Sequence, residues 1–319
     1  MAGQTEPKKI YVTQRIPETG IRFLADQGYH VDIRPGEGLI PPAMLKKALT
    51  DYDGVISMLS DTLDAAILSH AGKCRVIAQY AVGVNNIDLV AAAEKGITVT
   101  NTPDVLTEAT AELAMTLVLS AARRIVPSDR YTREGKFRGW GPLLFIGKGL
   151  DGKTVGVVGM GRIGQAFARM ASGFNTRIIY HSRSPKDVPY EAVDMDTLIA
   201  ESDVISLHLP LTPESSHLFT KDVFNRMKPG VVFVNTARGP IVKEADLVQA
   251  LKSGHVGYAG LDVYEFEPKI RAELTGMENV VVLPHIGSAT EKSRDDMALL
   301  AARNIHGVLS GEPPLTPVQ

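Results

Sequence analysis

The stretch VGVVGMGRIGQAF, residues 155–167, decides the fold. It contains Gly159, Gly161 and Gly164 in the spacing GxGxxG, with a β-branched stretch before them and a helix-forming stretch after them. Glycines at this spacing permit a tight turn from strand to helix and let the backbone approach an anion at the positive end of the helix dipole. A lone GxGxxG also occurs in ordinary turns, but this strand-to-helix context favours a dinucleotide-binding turn.

The next strand ends in an unexpected way. In such folds an Asp or Glu about 20 residues after the glycines holds the adenosine ribose. Here NTRIIYHSRSPK, residues 175–186, places Ser182, Arg183 and Lys186 at that point instead. A guanidinium forks onto phosphate oxygens, whereas a carboxylate repels a 2′-phosphate, so the sequence predicts that NADP(H) is preferred. NAD(H) stays possible, because Arg183 can also lie in solvent above the adenine.

Composition excludes several classes of protein. The chain has 319 residues, enough for about two domains, and a formal net charge of −2 without the basic run of a nucleic-acid binder. Its single cysteine, Cys74, excludes an internal disulfide and suits a reducing compartment, so we expect a cytoplasmic protein. No apolar stretch is long enough to predict a signal peptide or a membrane span. No His, Cys or carboxylate cluster has metal-site spacing, so we expect no metal.

The chain reads as two α/β series. Short apolar strands alternate with helical stretches from Lys9 to Pro103 and again from Lys153 to Ile286, which predicts two parallel sheets. Between them we predict a long helix over about 104–125, ended by Pro127, and an irregular segment over 128–149. A last helix, Thr290 to about Leu309, follows the second series. We expect it to fold back on the first, which makes the first domain discontinuous.

Three charged or titratable residues follow strands of the second series: Arg238, Glu267 and His285. Taken singly, each has an ordinary interpretation as a surface arginine, a solvated glutamate and a structural histidine. In open parallel sheets, however, ligands bind beyond the carboxyl ends of the strands. Their joint placement beside a nucleotide turn therefore favours a catalytic site.

Four motifs carry a family resemblance: VVGMGRIG, NTARGPIVKEADLVQAL, GYAGLDVYEFEP and LPHIGSAT. They resemble the D-isomer-specific 2-hydroxyacid dehydrogenases, and TPDVLTEATAELA, GWGPLLFIGKGL and PHIGSAT are most similar to the glyoxylate/hydroxypyruvate reductases among them. The resemblance implies a Rossmann NADP-binding domain, residues 104–287, inserted into a flavodoxin-like substrate domain, residues 1–103 and 288–319, with a cleft between them. It also implies a homodimer that reduces glyoxylate or hydroxypyruvate to glycolate or D-glycerate.

The resemblance implies residue roles as well. Arg238 matches the arginine that holds the substrate carboxylate, and His285 matches the acid that protonates the carbonyl oxygen. Glu267 matches its partner, which orients the ring and favours its charged form. The implied substrate-binding residues are Val82, Gly83, Arg238, His285, Gly287, Ser288 and Trp140. The implied cofactor-binding residues are Gly159, Gly161, Arg162, Ile163, Gly164, Ser182, Arg183, Lys186, Thr110, Leu209, Pro210, Thr236, Ala237 and Asp262.

Several alternatives stay open at this level. Trp140 reaches the partner subunit's pocket or packs within its own loop. KIRAELTGMENV, residues 269–280, is charged where many relatives are apolar, so contacts there differ. The substrate is a small 2-oxo acid, or the enzyme is of the 2-ketogluconate or phosphite dehydrogenase type. A protein of another class, a nucleotide-sensing interaction protein like the transcriptional corepressors of this fold, is the remaining alternative.

Overall fold

The computed structural model describes residues 6–318 and divides the chain into two compact units. Unit 1 comprises Met1–Leu106 and Ala289–Gln319, and unit 2 comprises Thr107–Ser288. The sequence places the corresponding boundaries at 103/104 and 287/288. Within the described residues no helix is long and apolar enough to cross a membrane.

Unit 1 is built on a five-stranded parallel sheet. Its strands are β1 (Lys9–Val12), β2 (His30–Ile33), β3 (Gly54–Ser57), β4 (Val76–Gln79) and β5 (Thr98–Thr100). Their order, β2-β1-β3-β4-β5, is the flavodoxin-like order. Its helices are α1 (Glu18–Asp26), α2 (Pro42–Asp51), α3 (Ala65–Leu68), α4 (Leu89–Glu94) and, from the end of the chain, α12 (Glu291–Ser310).

The helices α1 and α12 are in direct backbone contact. A Cβ atom built on Gly20 of α1 would lie 2.4 Å from the carbonyl oxygen of Ala298 in α12, so only glycine fits there. The predicted terminal helix is confirmed to within a residue at each end. Thr290 caps it by accepting a hydrogen bond from the Ser293 N–H, and Gly311 ends it in the left-handed region at φ 87°.

Unit 2 is built on a seven-stranded parallel sheet. Its strands are β6 (Thr154–Val158), β7 (Arg177–His181), β8 (Glu191–Ala192), β9 (Val204–Leu207), β10 (Val231–Asn235), β11 (Val256–Leu261) and β12 (Val280–Val282). The order is β12-β11-β10-β9-β6-β7-β8, the dinucleotide-binding order with one strand added. Its helices are α5 (Thr107–Ala122), α6 (Ile125–Arg133), α7 (Arg162–Ser172), α8 (Met195–Glu201), α9 (Lys221–Arg226), α10 (Glu244–Lys252) and α11 (Ala272–Gly276), with a 3-10 turn at Gly239–Ile241.

The strands of unit 2 are buried on both faces, which is why they read as continuous apolar runs. On β10, Phe233 belongs to the hydrophobic cluster that contains Phe224, on one face of the sheet. Its neighbours Val232 and Val234 belong to the cluster that contains Phe167, on the other face. Because both faces of this sheet are covered by apolar side chains, polar side chains are placed at the ends of its strands.

The prediction for residues 104–149 was partly wrong. The expected long helix is shorter, Thr107–Ala122, and a second helix, α6, occupies residues expected to be irregular. Arg124 separates the two helices in the left-handed region at φ 54°. Pro127 lies in the first turn of α6 instead of ending the preceding helix. Proline is tolerated there because the first-turn N–H groups have no partner within the helix.

Candidate active site

The candidate acid and its carboxylate partner are brought together in unit 2. Because β10, β11 and β12 are parallel neighbours, the segments that follow them leave the sheet at the same edge. His285 Nδ1 lies 2.9 Å from Glu267 Oε2, and the two side chains are 31% and 36% exposed. His285 itself adopts a left-handed backbone, φ 57°. With Nδ1 occupied by the carboxylate, Nε2 is the nitrogen available for proton transfer.

Glu267 is held at both oxygens. Its Oε1 accepts a 3.0 Å hydrogen bond from the Tyr264 N–H, and its Oε2 binds His285. Burial alone raises the pKa of Glu267. The hydrogen bond to His285, the charge of His285, the Tyr264 N–H and the charge of Arg238 lower it, and together they bring the pKa below its ordinary value. Glu267 is therefore an ionised acceptor at neutral pH, as a partner of a protonated imidazole must be.

Arg238 is held by the turn that follows β10. Asn235 bridges this turn: its Oδ1 accepts the Ala237 N–H at 3.0 Å, and its Nδ2 donates to the Arg238 carbonyl at 3.0 Å. Arg238 Nη1 donates to the Ala237 carbonyl at 2.7 Å. Burial lowers the pKa of Arg238 and the charge of Glu267 opposes this, yet a guanidinium remains charged. Among residues 6–318 it forms no ion pair within 4.0 Å, so the rest of its donors are available to an anion.

Asp262 supports the turn that follows His285. Its carboxylate accepts hydrogen bonds from the N–H groups of Ile286, at 2.7 Å, and Gly287, at 2.8 Å. Burial raises the pKa of Asp262 more than these two bonds and the charge of His285 lower it. A Cβ atom on Gly287 would lie 3.4 Å from both Asp262 Oδ2 and Thr110 Cγ2. Three residues selected from the sequence, Asp262, Gly287 and Thr110, thus lie together.

A competing histidine is unsuited to acid catalysis. His208 follows β9, and its imidazole Nε2 lies 2.9 Å from the Ser206 hydroxyl. Burial lowers the pKa of His208 to about 3, so its ring is neutral at physiological pH. Its backbone packs against Gly159, where a Cβ atom would lie 2.7 Å from the His208 carbonyl.

The glycine turn fits a dinucleotide. Gly159 requires glycine through its left-handed backbone, φ 98°, and Gly164 through close packing, since its Cβ would lie 2.1 Å from the Gly159 carbonyl oxygen. Gly161, at the start of α7, is different because a Cβ built there meets no atom within 4 Å. The space over Gly161 at a helix N-terminus suits a pyrophosphate. At the carboxyl end of β10, two strands from β6 in the sheet, the buried Thr236 hydroxyl has no hydrogen-bond partner among the described residues.

The predicted 2′-phosphate residues follow β7. Arg183 is exposed and makes no hydrogen bond in the described part of the chain, and the Lys186 ammonium donates to Ser184 Oγ at 3.2 Å. The charge of Arg183 acts on an acidic residue, Glu214, that was not predicted to belong to the site. The pKa of Glu214 is lowered first by a hydrogen bond from the Thr212 side chain and also by the charge of Arg183.

The remaining predicted substrate-binding residues lie apart from the His285–Glu267 pair in the sequence, and their surroundings differ. In unit 1, the carbonyl oxygens of Val82 and Gly83 accept hydrogen bonds from Asn101 Nδ2, at 2.8 Å, and Gln79 Nε2, at 3.3 Å. In unit 2, Trp140 is 85% exposed and makes no hydrogen bond or ring contact with any residue of 6–318.

Comparison with known proteins identifies the family. Residues 115–287 match the model of the D-isomer specific 2-hydroxyacid dehydrogenase, NAD binding domain. The chain belongs to the D-isomer-specific 2-hydroxyacid dehydrogenases. Members similar to it include the glyoxylate reductase of Thermococcus litoralis, 45% identical over 315 residues that cover 96% of this chain and 95% of that protein.

Solved structures agree with the family assignment. A protein of Thermus thermophilus superposes with a TM-score of 0.94 at 43% identity, covering 98% of this chain and 100% of that one. The NADPH-dependent glyoxylate/hydroxypyruvate reductase of Sinorhizobium meliloti, solved with NADP and malonate, gives 0.88 at 31% identity over 98% and 97%. The protein is therefore an NAD(P)-dependent D-2-hydroxyacid dehydrogenase, with the predicted Rossmann and flavodoxin-like folds confirmed.

Two residues of the motif GLDVYEFEP that were not predicted to belong to the site, Tyr264 and Glu265, make hydrogen bonds there. Tyr264 donates its hydroxyl to the Leu283 carbonyl at 2.7 Å and so ties the end of β12 to the segment after β11. Glu265 is largely buried and bonds to residues after β9 and β10. The available signal was three carboxylates, Asp262, Glu265 and Glu267, within six residues after a buried strand.

Proposed function

We propose that this dehydrogenase reduces glyoxylate and hydroxypyruvate to glycolate and D-glycerate, with NADPH preferred as the reductant. The observation that carries the proposal is the His285–Glu267 pair, 2.9 Å apart, on the same sheet edge as the partly buried Arg238. The substrate class is supported by the similarity to glyoxylate reductases and to a glyoxylate/hydroxypyruvate reductase.

Each side chain has a defined part in the proposed reaction. Arg238 binds the substrate carboxylate through its planar fork. His285 donates the Nε2 proton to the carbonyl oxygen, and Glu267, bonded to Nδ1, stabilises the charged imidazole before the transfer. Val82 and Gly83 contribute backbone groups, and Gly287 and Ser288 flank the acid. When bound, the nicotinamide supplies the hydride.

The cofactor proposal rests on the second strand of unit 2. Arg183, Ser182 and Lys186 bind the 2′-phosphate, and the turn at Gly161 binds the pyrophosphate. The residues that complete the cofactor site in this proposal are Gly159, Arg162, Ile163, Gly164, Leu209, Pro210, Thr236, Ala237, Thr110 and Asp262. Support comes from the open space over Gly161 and from the exposed, unbonded guanidinium of Arg183.

The proposed assembly is a homodimer, with Trp140 inserted at the partner subunit's substrate pocket. Support comes from a cluster of exposed apolar side chains in one stretch of unit 2, of a kind that marks association surfaces: Ile125, Val126, Phe137, Trp140, Leu143, Leu144 and Ile146. The single, buried Cys74 suits a cytoplasmic enzyme.

A panel of substrates tests the function. We expect kcat/KM to be highest for glyoxylate or hydroxypyruvate with NADPH, measured by the absorbance of the reduced cofactor, and lower with NADH. Turnover confined to 2-ketogluconate or phosphite would assign the protein to another member of the family. No turnover with any oxo acid, together with peptide binding that depends on nucleotide, would make it an interaction protein.

A further inference from the structure

Two buried carboxylates next to the catalytic pair touch none of the reacting groups. Glu244 begins α10 and Glu265 lies two residues before Glu267, and their side chains are 4% and 7% exposed. Burial raises the pKa of Glu244. Burying two carboxylates side by side is costly, so their arrangement calls for a physical reason.

The two residues are joined by reciprocal hydrogen bonds. The Glu244 N–H donates to Glu265 Oε2 at 3.1 Å, and the Glu265 N–H donates to Glu244 Oε1 at 2.6 Å. We call this pair the carboxylate brace. Its outer oxygens face cations or potential cations: Arg271 Nε lies 3.5 Å from Glu244 Oε2, and His217 Nε2 lies 2.8 Å from Glu265 Oε1.

The brace joins the two turns that carry the catalytic side chains. Glu244 ends the turn that follows β10 and contains Arg238, and Glu265 lies in the turn that follows β11 and contains Glu267. The same turns meet at Gly239, where a Cβ atom would lie 1.8 Å from the Tyr264 carbonyl oxygen. The Tyr264 N–H in turn holds Glu267 Oε1 at 3.0 Å. Displacement of Glu265 therefore moves the group that holds Glu267.

No direct ion pair links Arg238 to Glu267 in the described chain, so their spacing depends on the turns. We propose that Glu244 and Glu265 are positioning residues: their reciprocal bonds fix the Arg238 turn against the Glu267 turn and so align the substrate carboxylate with the acid. The inference rests on the proposed function of Arg238, Glu267 and His285. A misplacement of about 1 Å at such a site can reduce turnover roughly 100-fold.

The test compares two substitutions that separate hydrogen bonding from charge. Glu265→Gln keeps an oxygen that accepts the Glu244 N–H but removes the charge, whereas Glu265→Asp keeps the charge but is one methylene too short. We expect kcat/KM for glyoxylate to stay within about threefold of wild type in Glu265→Gln and to fall roughly 10- to 100-fold in Glu265→Asp. Both KM and kcat change, because Arg238 and Glu267 are both displaced. The Kd for NADPH stays within about twofold.

Substitutions of Glu273 are the matched controls. Glu273→Asp and Glu273→Gln alter an exposed first-turn glutamate of α11 and leave kcat/KM unchanged. The opposite order, Asp active and Gln inactive, would assign Glu265 an electrostatic role and overturn the proposal. Wild-type values in both variants, or losses that merely follow the unfolded fraction, would also overturn it. Turnover by the unaltered enzyme tests the proposed function separately, and any 2-oxo acid that it does reduce serves for the variant ratios.

Discussion

His285 Nδ1 and Glu267 Oε2 are 2.9 Å apart although 18 residues separate them in the chain. The adjacency of β11 and β12 brings them together, since the two strands are parallel and end at the same edge. Each partner is also fixed locally: Glu267 by the Tyr264 N–H, and the residues after His285 by Asp262. The pair is thus positioned by the sheet and by these local hydrogen bonds.

Removal of the acid should stop turnover without loss of cofactor. We expect His285→Ala to lower kcat by at least roughly 100-fold, because no other side chain replaces its proton. The Kd for NADPH, measured by fluorescence titration, should change little. His255→Ala is the control, since His255 lies just before β11 at the opposite sheet edge. Near-full activity of His285→Ala would refute its role as the acid.

Truncation of Arg183 should distinguish the two cofactors. One lost charge-assisted hydrogen bond, about 1.5–3 kcal/mol, corresponds to a roughly 10- to 100-fold weaker binding of NADPH in Arg183→Ala. Binding of NADH should be nearly unchanged because it lacks the 2′-phosphate. Arg15→Ala alters an exposed arginine of unit 1 and serves as control. Equal losses for both cofactors would contradict the preference for NADPH.

Alanine substitutions at two glycines of the nucleotide turn should affect protein stability and NADPH binding differently. In Gly161→Ala the added methyl meets no protein atom, so stability should change by less than about 1 kcal/mol. Binding of NADPH should weaken roughly 10-fold or more, because the methyl occupies the space left for the pyrophosphate. Gly164→Ala meets the Gly159 carbonyl and should lose about 1–3 kcal/mol of stability. Denaturant unfolding and cofactor titration of both variants check this, and a destabilised Gly161→Ala with normal binding would contradict it.

The Glu267 carboxylate should contribute stability that depends on pH. Its pKa is lower in the folded protein than the ordinary 4.5, so its charge stabilises the fold above that pH and ceases to do so as pH falls through the folded value. We expect Glu267→Gln to be less stable than wild type at pH 7 by under about 1 kcal/mol, because the group is partly exposed and screened. The difference should decrease as the pH falls below 4.5 in denaturant titrations. A difference that grows with acidity would be inconsistent with the lowered pKa.

The exposed tryptophan should report on assembly. If Trp140 enters a partner subunit, its fluorescence should be shifted to shorter wavelength in the dimer and move to that of exposed tryptophan upon dilution into monomer. Sedimentation velocity should show a dimer for the wild type, and Trp140→Ala should raise KM for the 2-oxo acid. Leu39→Ala, which removes an exposed apolar side chain of unit 1, is the control. Sedimentation as a monomer at all concentrations would contradict the proposal.

The sequence predicted two parallel sheets, and the family resemblance implied their Rossmann and flavodoxin-like folds, but not every segment between the strands was predicted correctly. Apolar β-branched runs such as Val231–Asn235 are buried on both faces, so pattern and fold agree. The helix end predicted at Pro127 was wrong because proline is allowed both after a helix and within the first turn of one. Only tertiary packing decides between these positions. Likewise, GxGxxG predicted the turn at Gly159, but not that Gly161 alone lies in open space.

The sequence did not predict the hydrogen bonds between segments of the site that are distant in the chain. Arg238, Glu267 and His285 were selected from their positions after strands. The bond between Glu244 and Glu265 spans 21 residues and joins two segments whose contact depends on the close approach at Gly239. Nothing local in either segment reveals it. Glu214 was not predicted for the same reason, since the effect of the Arg183 charge on its pKa is apparent only in three dimensions.

The backbone contact of Gly20 with Ala298 has a consequence for synthesis on the ribosome. Every strand of unit 2 has been translated before the helix that bears Ala298, so unit 2 can complete its folding before unit 1 does. The sheet of unit 1 lacks the helix α12 until the end of the chain has been made. Gly20 therefore meets Ala298 only after the last helix has been made, and unit 1 is the part of the chain that completes its fold last.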